Sequence, residues 1–225
     1  MSENTPDYSQ LSLDDLRLVL APGIAEAATF DGWTLAAVYA AAARLGISGD
    51  VARLAFPGKN PAMAMIAAWI AAIDARMARE LPTETLVAMP IRQRIRRLVT
   101  FRLDAVGQAE EALRRALAIM AMPRNVAQSL ALGWHSADGM WRLAGDTATD
   151  FSHYSKRATL SAIYASTLLI FVDDHSEAKA ETLAFLDRRI DDVMRFEKAK
   201  AGWRRSGTDY FSPARFLGRL RYPPR

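Results

Sequence analysis

An all-helical bundle behind a small three-helix head is the architecture the sequence predicts. Three observations predict it. Apolar residues recur at helical spacing and nowhere in sustained strand alternation. Proline, glycine and capping residues cut the chain into three short helical segments followed by about six longer ones. Ala is abundant, which favours helix and close helix–helix approach. At 225 residues, with 51% hydrophobic and 24% charged side chains, the chain is long enough for one large core and is neither disordered nor fibrous.

Taken in order, Leu11-Ser12-Leu13-Asp14-Asp15-Leu16 has the form of a capping box, with Ser12 as N-cap, Asp15 as the N3 acid and Leu11 and Leu16 as staple. The helix it opens is expected to stop near Pro22-Gly23, with a second segment to about Thr29. Thr34 caps Leu35 to Leu45, Gly46 ends that helix, and Ser48 opens a short one through Ala55. Asn60-Pro61 starts a helix to about Glu80, Pro82 breaks the chain, and Pro90 opens residues 91–106. Gln108 to Met120 follows, then Pro123 to Ala144 closed by Gly145. Asp150 or Ser152 leads into a helix ending near Val172, and Ser176 starts a last helix to about Ala201. The expected divisions are a head at 11–59, a ligand-binding and dimerisation bundle at 60–201, and a basic amphipathic segment at 202–225.

The spacing of Leu35–Leu45 and Asp50–Phe56 about Gly46-Ile47-Ser48 is that of a helix-turn-helix, though any tight αα connection produces it. Charge argues against DNA. Residues 1–60 hold four basic and seven acidic side chains, a balance of −3, and the candidate recognition helix offers one long donor, Arg53, with Asp50 at its start. The head therefore reads as a degenerate helix-turn-helix. A second cluster, Arg92, Arg94, Arg96, Arg97 and Arg102, surrounds Ile91, Ile95, Leu98 and Val99. It reads as a solvated helix face, with an anionic-lipid or partner surface as the alternative.

Chemistry is sparse. There is no Cys, so disulfides, thiolate metal sites and cysteine nucleophiles are excluded together, and a reducing cytoplasm is permitted. His135, His153 and His175 have no Glu three residues upstream, which removes the di-iron helical motif, and no phosphate loop occurs. No catalytic residue, metal site or cofactor is expected. Asp150 and His153, one turn apart, are a candidate structural pair. Asp173-Asp174-His175-Ser176 reads as a polar corner capping the next helix. Leu130, Trp134, Leu160, Ile163, Tyr164 and Leu168 are ordinary core or, with neighbouring Met residues, the lining of a pliable apolar pocket.

No apolar leader lies within Met1–Gln10, and the charge-free runs Pro61–Ile73 and Ala158–Val172 are too short to cross a bilayer. The tail is different. Residues 198–225 hold eight basic side chains against Asp209, a balance of +7. Behind Ser212-Pro213, Phe216, Leu217 and Leu220 share a helical face with Phe211 ahead of them and Arg215, Arg219 and Arg221 to the sides. So short a helix needs a surface to fold against. A bilayer suits it, and docking on its own domain or a partner subunit is the alternative.

The run Gly145-Asp146-Thr147-Ala148-Thr149-Asp150-Phe151-Ser152-His153-Tyr154-Ser155-Lys156-Arg157 is more specific. It is preceded by Met140-Trp141 and followed by Leu160, Ile163-Tyr164, Asp174, Ser176, Phe185-Leu186 and Arg188-Arg189-Ile190. In these residues the chain resembles the COQ9 family of ubiquinone-biosynthesis proteins. The resemblance implies a tetracycline-repressor-type fold without the DNA function, a homodimer through the last long helices, a lipid-holding pocket and an amphipathic C-terminal membrane helix. It also implies assistance to the di-iron hydroxylase acting on demethoxyubiquinone, by presenting an isoprenoid quinone drawn from the inner membrane. That places the chain on the cytoplasmic side, peripheral to the bilayer. By position, Met140 and Trp141 match an apolar patch used against that hydroxylase, and Arg142 stands where the family can have a second aromatic. Asp146, Asp150, His153 and Arg157 are then a polar junction between helices, and Phe211, Arg215, Phe216, Leu217, Arg219 and Leu220 the membrane contact. The rival from another class is a transcription regulator of the tetracycline-repressor type with a hydrophobic effector.

Overall fold

The computed structural model describes residues 8, 11–58, 61–149 and 151–206; the side chains of 151 and 196–206 lie outside that description. Among these residues every regular element is helical.

The first helix, α1 (Leu13–Asp31), begins as the capping box requires. Ser12 Oγ accepts from the Asp15 amide at 3.2 Å and donates to Asp15 Oδ2 at 2.7 Å. It does not stop at Pro22, contrary to expectation. Proline there removes one N–H bond, the one to the carbonyl of Leu18. Against that, α1 buries Leu20, Ala21, Ile24, Ala25, Ala27 and Ala28 along one face, which holds the helix through the proline. Gly23 lets the next helix approach: a Cβ there would lie 3.1 Å from the Cβ of Ala41.

The head is completed by α2 (Leu35–Arg44) and α3 (Gly49–Ala55), joined across Gly46 at φ 68, a left-handed turn that glycine adopts without strain. The helix-turn-helix spacing is thus real. On α3, however, Asp50, Arg53 and the apolar Val51 and Leu54 face outward.

The bundle follows as α4 (Ala62–Glu80), a single turn α5 (Thr83–Leu86), α6 (Ile91–Gly107), α7 (Glu110–Met120), α8 (Val126–Leu143) and α9 (Phe151–Phe171), and α10 (Ala180–Ser206) is the last element in the order. Pro82, Pro90 and Pro123 punctuate it where expected, the last through a 3-10 turn at Pro123–Asn125. Residues up to Leu186 form one compact unit, in which α1 packs on α2, α4 and α7, α4 on α6 to α8, and α8 on α9. Trp33, just after α1, donates from Nε1 to Ala112 O at 3.0 Å and lies against Trp69 in a tilted arrangement with ring centroids 5.4 Å apart. Residues from Asp187 belong to a second unit, where Arg189 pairs with Asp192 at 2.8 Å.

The last helix starts four residues later than Ser176 suggests. Ala178 and Lys179 take φ 51 and 56, left-handed values that stop a right-handed helix from running through them. Lys179 is held there by bonds from Nζ to Phe171 O at 3.2 Å and Asp174 O at 2.8 Å, with an ion pair to Glu110 at 2.8 Å. Among the described residues no helix is long and apolar enough to cross a membrane.

Candidate functional site

The specific run in the sequence folds into the corner between α8 and α9. Gly145, at φ 85, ends α8 in a Schellman arrangement. Its amide donates to Arg142 O at 2.9 Å, and the Asp146 amide reaches back to Trp141 O at 2.9 Å. That closure turns the Asp146 side chain toward the first turns of α9, where Lys156 donates to Oδ1 at 2.6 Å and Arg157 to Oδ2 at 3.1 Å.

Arg157 organises the corner. Only 1% exposed, it donates through Nε to Asp138 Oδ1 at 2.5 Å, and through its second arm to Asp146 and to His153 O at 3.1 Å. Asp138 also pairs with Arg142 at 2.8 Å. Burial pushes the Asp138 carboxyl up, but the Arg157 bond and the charges of Arg142, Arg157 and His153 outweigh it and hold the group below the usual carboxylate range. At Asp146 burial acts the same way and is outweighed by the bonds from Lys156 and Arg157.

The structure therefore brings Asp146, His153 and Arg157 together, while Asp150 lies outside the described residues. His153 bonds through Nδ1 to Ala148 O at 2.9 Å and edges against Tyr154 at 5.1 Å. Asp138 and Lys156 are corner residues that the sequence reading missed. Asp138 carried a signal, since it stands one helical turn before Arg142 and on the inner side of α8.

Trp141 is half-buried on this corner, donating from Nε1 to Lys156 O at 3.0 Å with the Lys156 ammonium 5.4 Å from its ring centroid. Met140, placed with it in an apolar contact patch, is completely buried. Helical geometry turns adjacent residues about 100° apart, so one faces the core and the other the corner.

The six residues expected to line a pocket divide. Leu160, Ile163, Tyr164 and Leu168 are buried on the inner face of α9, Trp134 is half-buried with its ring tilted against Tyr154 at 6.2 Å, and Leu130 is 70% exposed. A cavity of about 350 Å³ opens elsewhere, between α1, α4 and the end of α6, and none of the six is among its lining residues. There Ala25, Ala72, Ala105 and Ala109 leave room beside Trp69 and Ile73, under a polar rim of Glu26, Arg76 and Gln108. Four small side chains facing one another made this space, and alanine positions were its only trace in the sequence.

Arg102 is also a correction. Read as part of a solvated face, it is 2% exposed and inserted between helices, paired with Asp74 and lying 4.8 Å from the Tyr164 ring centroid. Asp74 takes a further bond from Ser136 at 2.9 Å. Tyr164 thus covers a cation.

The Asp173–Ser176 corner is built as read. Asp174 accepts from the Ser176 amide at 2.8 Å and hydroxyl at 2.5 Å, and from the Thr182 amide at 2.8 Å and hydroxyl at 2.5 Å. The hydroxyl bonds from Ser176 and Thr182 hold its carboxyl far below the usual range. Asp138, Asp146 and Asp174 are thus all depressed relative to the unfolded value of about 3.9. Between the folded and unfolded values the unfolded chain binds more protons, so acid favours it. The contribution of these carboxylates is complete above about pH 5 and is lost as pH falls through the folded values. Thermal melting should therefore be lower at about pH 3 than at about pH 5, and equal midpoints would contradict the assignment. Among the described residues no group of His, Asp and Glu is placed to hold a metal ion.

The COQ9 family model matches residues 126–197, a span that contains this corner. The mitochondrial ubiquinone biosynthesis protein COQ9 of Homo sapiens is 34% identical over 173 residues, covering 72% of this chain and 52% of that protein. COQ9-B of Xenopus laevis is 39% identical over 105 residues, 47% of this chain and 36% of its own. The chain spans about half the length of the curated relatives it matches. Among solved structures, a TetR transcriptional regulator from Nitrosomonas europaea superposes with a TM-score of 0.61 over 79% of this chain and 97% of its own, at 23% identity. That likeness shows the fold: an all-α bundle of the tetracycline-repressor type. Through residues 126–197, the chain belongs to the COQ9 family.

Proposed function

We propose that the chain is a non-enzymatic, lipid-binding accessory protein of ubiquinone biosynthesis, which takes a polyprenylated quinone intermediate from the bilayer and presents it to the demethoxyubiquinone hydroxylase. The match of the α8–α9 segment to proteins of that pathway carries the reading. The α8–α9 corner supports it in form, because the half-buried Trp141 is bonded to the Lys156 carbonyl beside a network of buried ion pairs. Aromatic side chains anchored in this way are the usual energetic centres of protein interfaces.

The cavity of about 350 Å³ stands at the small end for ligand sites. It suits a ring or a short length of isoprenoid chain, with the rest of the chain left to the bilayer. The outward faces of α8 and α9, with Val126, Leu130, Tyr154 and Leu169 exposed, are the surface for a homodimer. The tail residues Phe211, Arg215, Phe216, Leu217, Arg219 and Leu220, outside the described residues, would hold the membrane. The regulator reading loses ground at α3, whose outward face offers base edges a single long donor, Arg53.

Native mass spectrometry of gently purified protein, with extraction of what it carries, tests the ligand. An isoprenoid quinone or precursor near one per subunit is expected, and an empty protein in every preparation counts against the reading. For the partner, Trp141→Ala should weaken binding to the hydroxylase by about 2 kcal/mol, roughly thirtyfold, with helix content retained. Unchanged affinity removes Trp141 from the interface.

A further inference from the structure

The turn between α4 and α6 is built to present apolar side chains. Leu86, 1% exposed, anchors it in the core. Arg94 then spends its guanidinium on the backbone: Nε donates to Met89 O, one arm to Val87 O and the other to Ala144 O, each at 2.7 Å. Pro90 closes the turn, its carbonyl accepting from Gln93 and Arg94 amides at 2.9 and 3.1 Å. With its carbonyls drawn inward, the segment turns its side chains out. Val87 is 58% exposed, and Met89 and Ile91 are each 36% exposed.

An apolar tip on a pinned backbone is costly to leave in water and marks a contact surface. The charge around it selects the occupant. From Leu81 to Arg97 the sequence holds one acid, Glu84, and four bases, Arg92, Arg94, Arg96 and Arg97, a balance of +3. Across the Arg94 bridge lies the end of α8, where the Arg142 side chain is 73% exposed. Apolar side chains followed in sequence by a run of arginines match the composition of a headgroup-layer contact, where the chains enter the acyl boundary and cations meet lipid phosphates.

We propose that the Val87–Ile91 turn is a second membrane contact, directed at anionic bilayers and separate from the tail. This rests on the membrane reading given above. Two points of attachment on one chain would fix the α8–α9 corner's height over the bilayer, which a single point of attachment does not.

The full chain has no Cys, so Met89→Cys carries one environment-sensitive fluorophore at the tip. The probes are vesicles of phosphatidylcholine alone and with about 30% phosphatidylglycerol. On the anionic vesicles the label should shift to the blue and be quenched by acyl-chain nitroxides. Val87→Ser/Met89→Ser should lower partitioning about tenfold with an unchanged circular dichroism spectrum. A tail variant, Phe216→Ser/Leu220→Ser, should bind more weakly yet still shift the label.

If the full chain floats with vesicles while the label stays unshifted and the tip variant partitions normally, the tip proposal fails and the tail reading stands. A full chain that binds neither vesicle overturns both. A tip variant that partitions normally but loses affinity for the hydroxylase makes this turn a protein contact and overturns the bilayer assignment.

Discussion

Asp74→Ala should destabilise the protein by about 3 kcal/mol, seen as a lower urea midpoint with an unchanged slope. The expectation follows from where the pair sits. Arg102 is 2% exposed, between α4, α6, α8 and α9, and Asp74 is the carboxylate that faces it. Without Asp74, the guanidinium keeps its charge, since arginine does not deprotonate in proteins, and retains only the Tyr164 face as a compensating contact. Ser136 loses its acceptor in the same step. The pair itself is a different matter. Replacing both members with apolar groups of similar size, Asp74→Leu/Arg102→Met, should recover most of the loss, because desolvating two charges costs about as much as their attraction returns. If the single and double variants are equally unstable, the cost lies in packing and the electrostatic account is wrong.

The second large effect is expected at Arg157. Arg157→Ala leaves Asp138 and Asp146 facing each other across the space the guanidinium filled, with only Arg142 and Lys156 at their outer sides. A loss of about 3–5 kcal/mol is expected at neutral pH. Arg157→Lys should fall between, since an ammonium keeps the charge but cannot reach both carboxylates and the His153 carbonyl with one planar fork. Acid gives the diagnostic. In the alanine variant the two carboxyls remain desolvated without the cation that depressed them, so they take up protons at milder acidity. The gap between variant and parent should therefore narrow as pH falls from about 7 to about 4. A gap that stays constant across that range would mean that Arg157 acts through volume alone.

These two clusters show where sequence reading succeeds and where it stops. Local punctuation was legible, because its physics is local: the Ser12–Asp15 cap, the left-handed Gly46 and Gly145, and the openings at Pro90 and Pro123 are each decided within a few residues. Asp146, His153 and Arg157 were legible as a group through the resemblance of their run to a family. Arg102 was not. A single arginine among five on one helix looks like its neighbours until Asp74, 28 residues earlier, is known to lie opposite. Pro22 misled for the converse reason: its local rule is sound, and the burial that overrides it is tertiary. Met140 was placed by its position in the family resemblance and the pocket candidates by their apolar character; neither says which way a side chain turns, and Met140 turns into the core while Leu130 turns out of it.

The unbroken run of α1 through Pro22 has a consequence for how the protein breathes. One helix is both the first element of the head and a wall of the bundle, resting on α2 on one side and on α4 and α7 on the other. Trp33 bolts its far end to Ala112 and Trp69. The head then has no private hinge, and freeing it means lifting that shared beam off the bundle as well. Amide protons of α2 and of α4 should exchange through the same opening event, with similar free energies. In a molecule so coupled, a ligand placed in the cavity beside Ala25 and Trp69 would change how often the head opens.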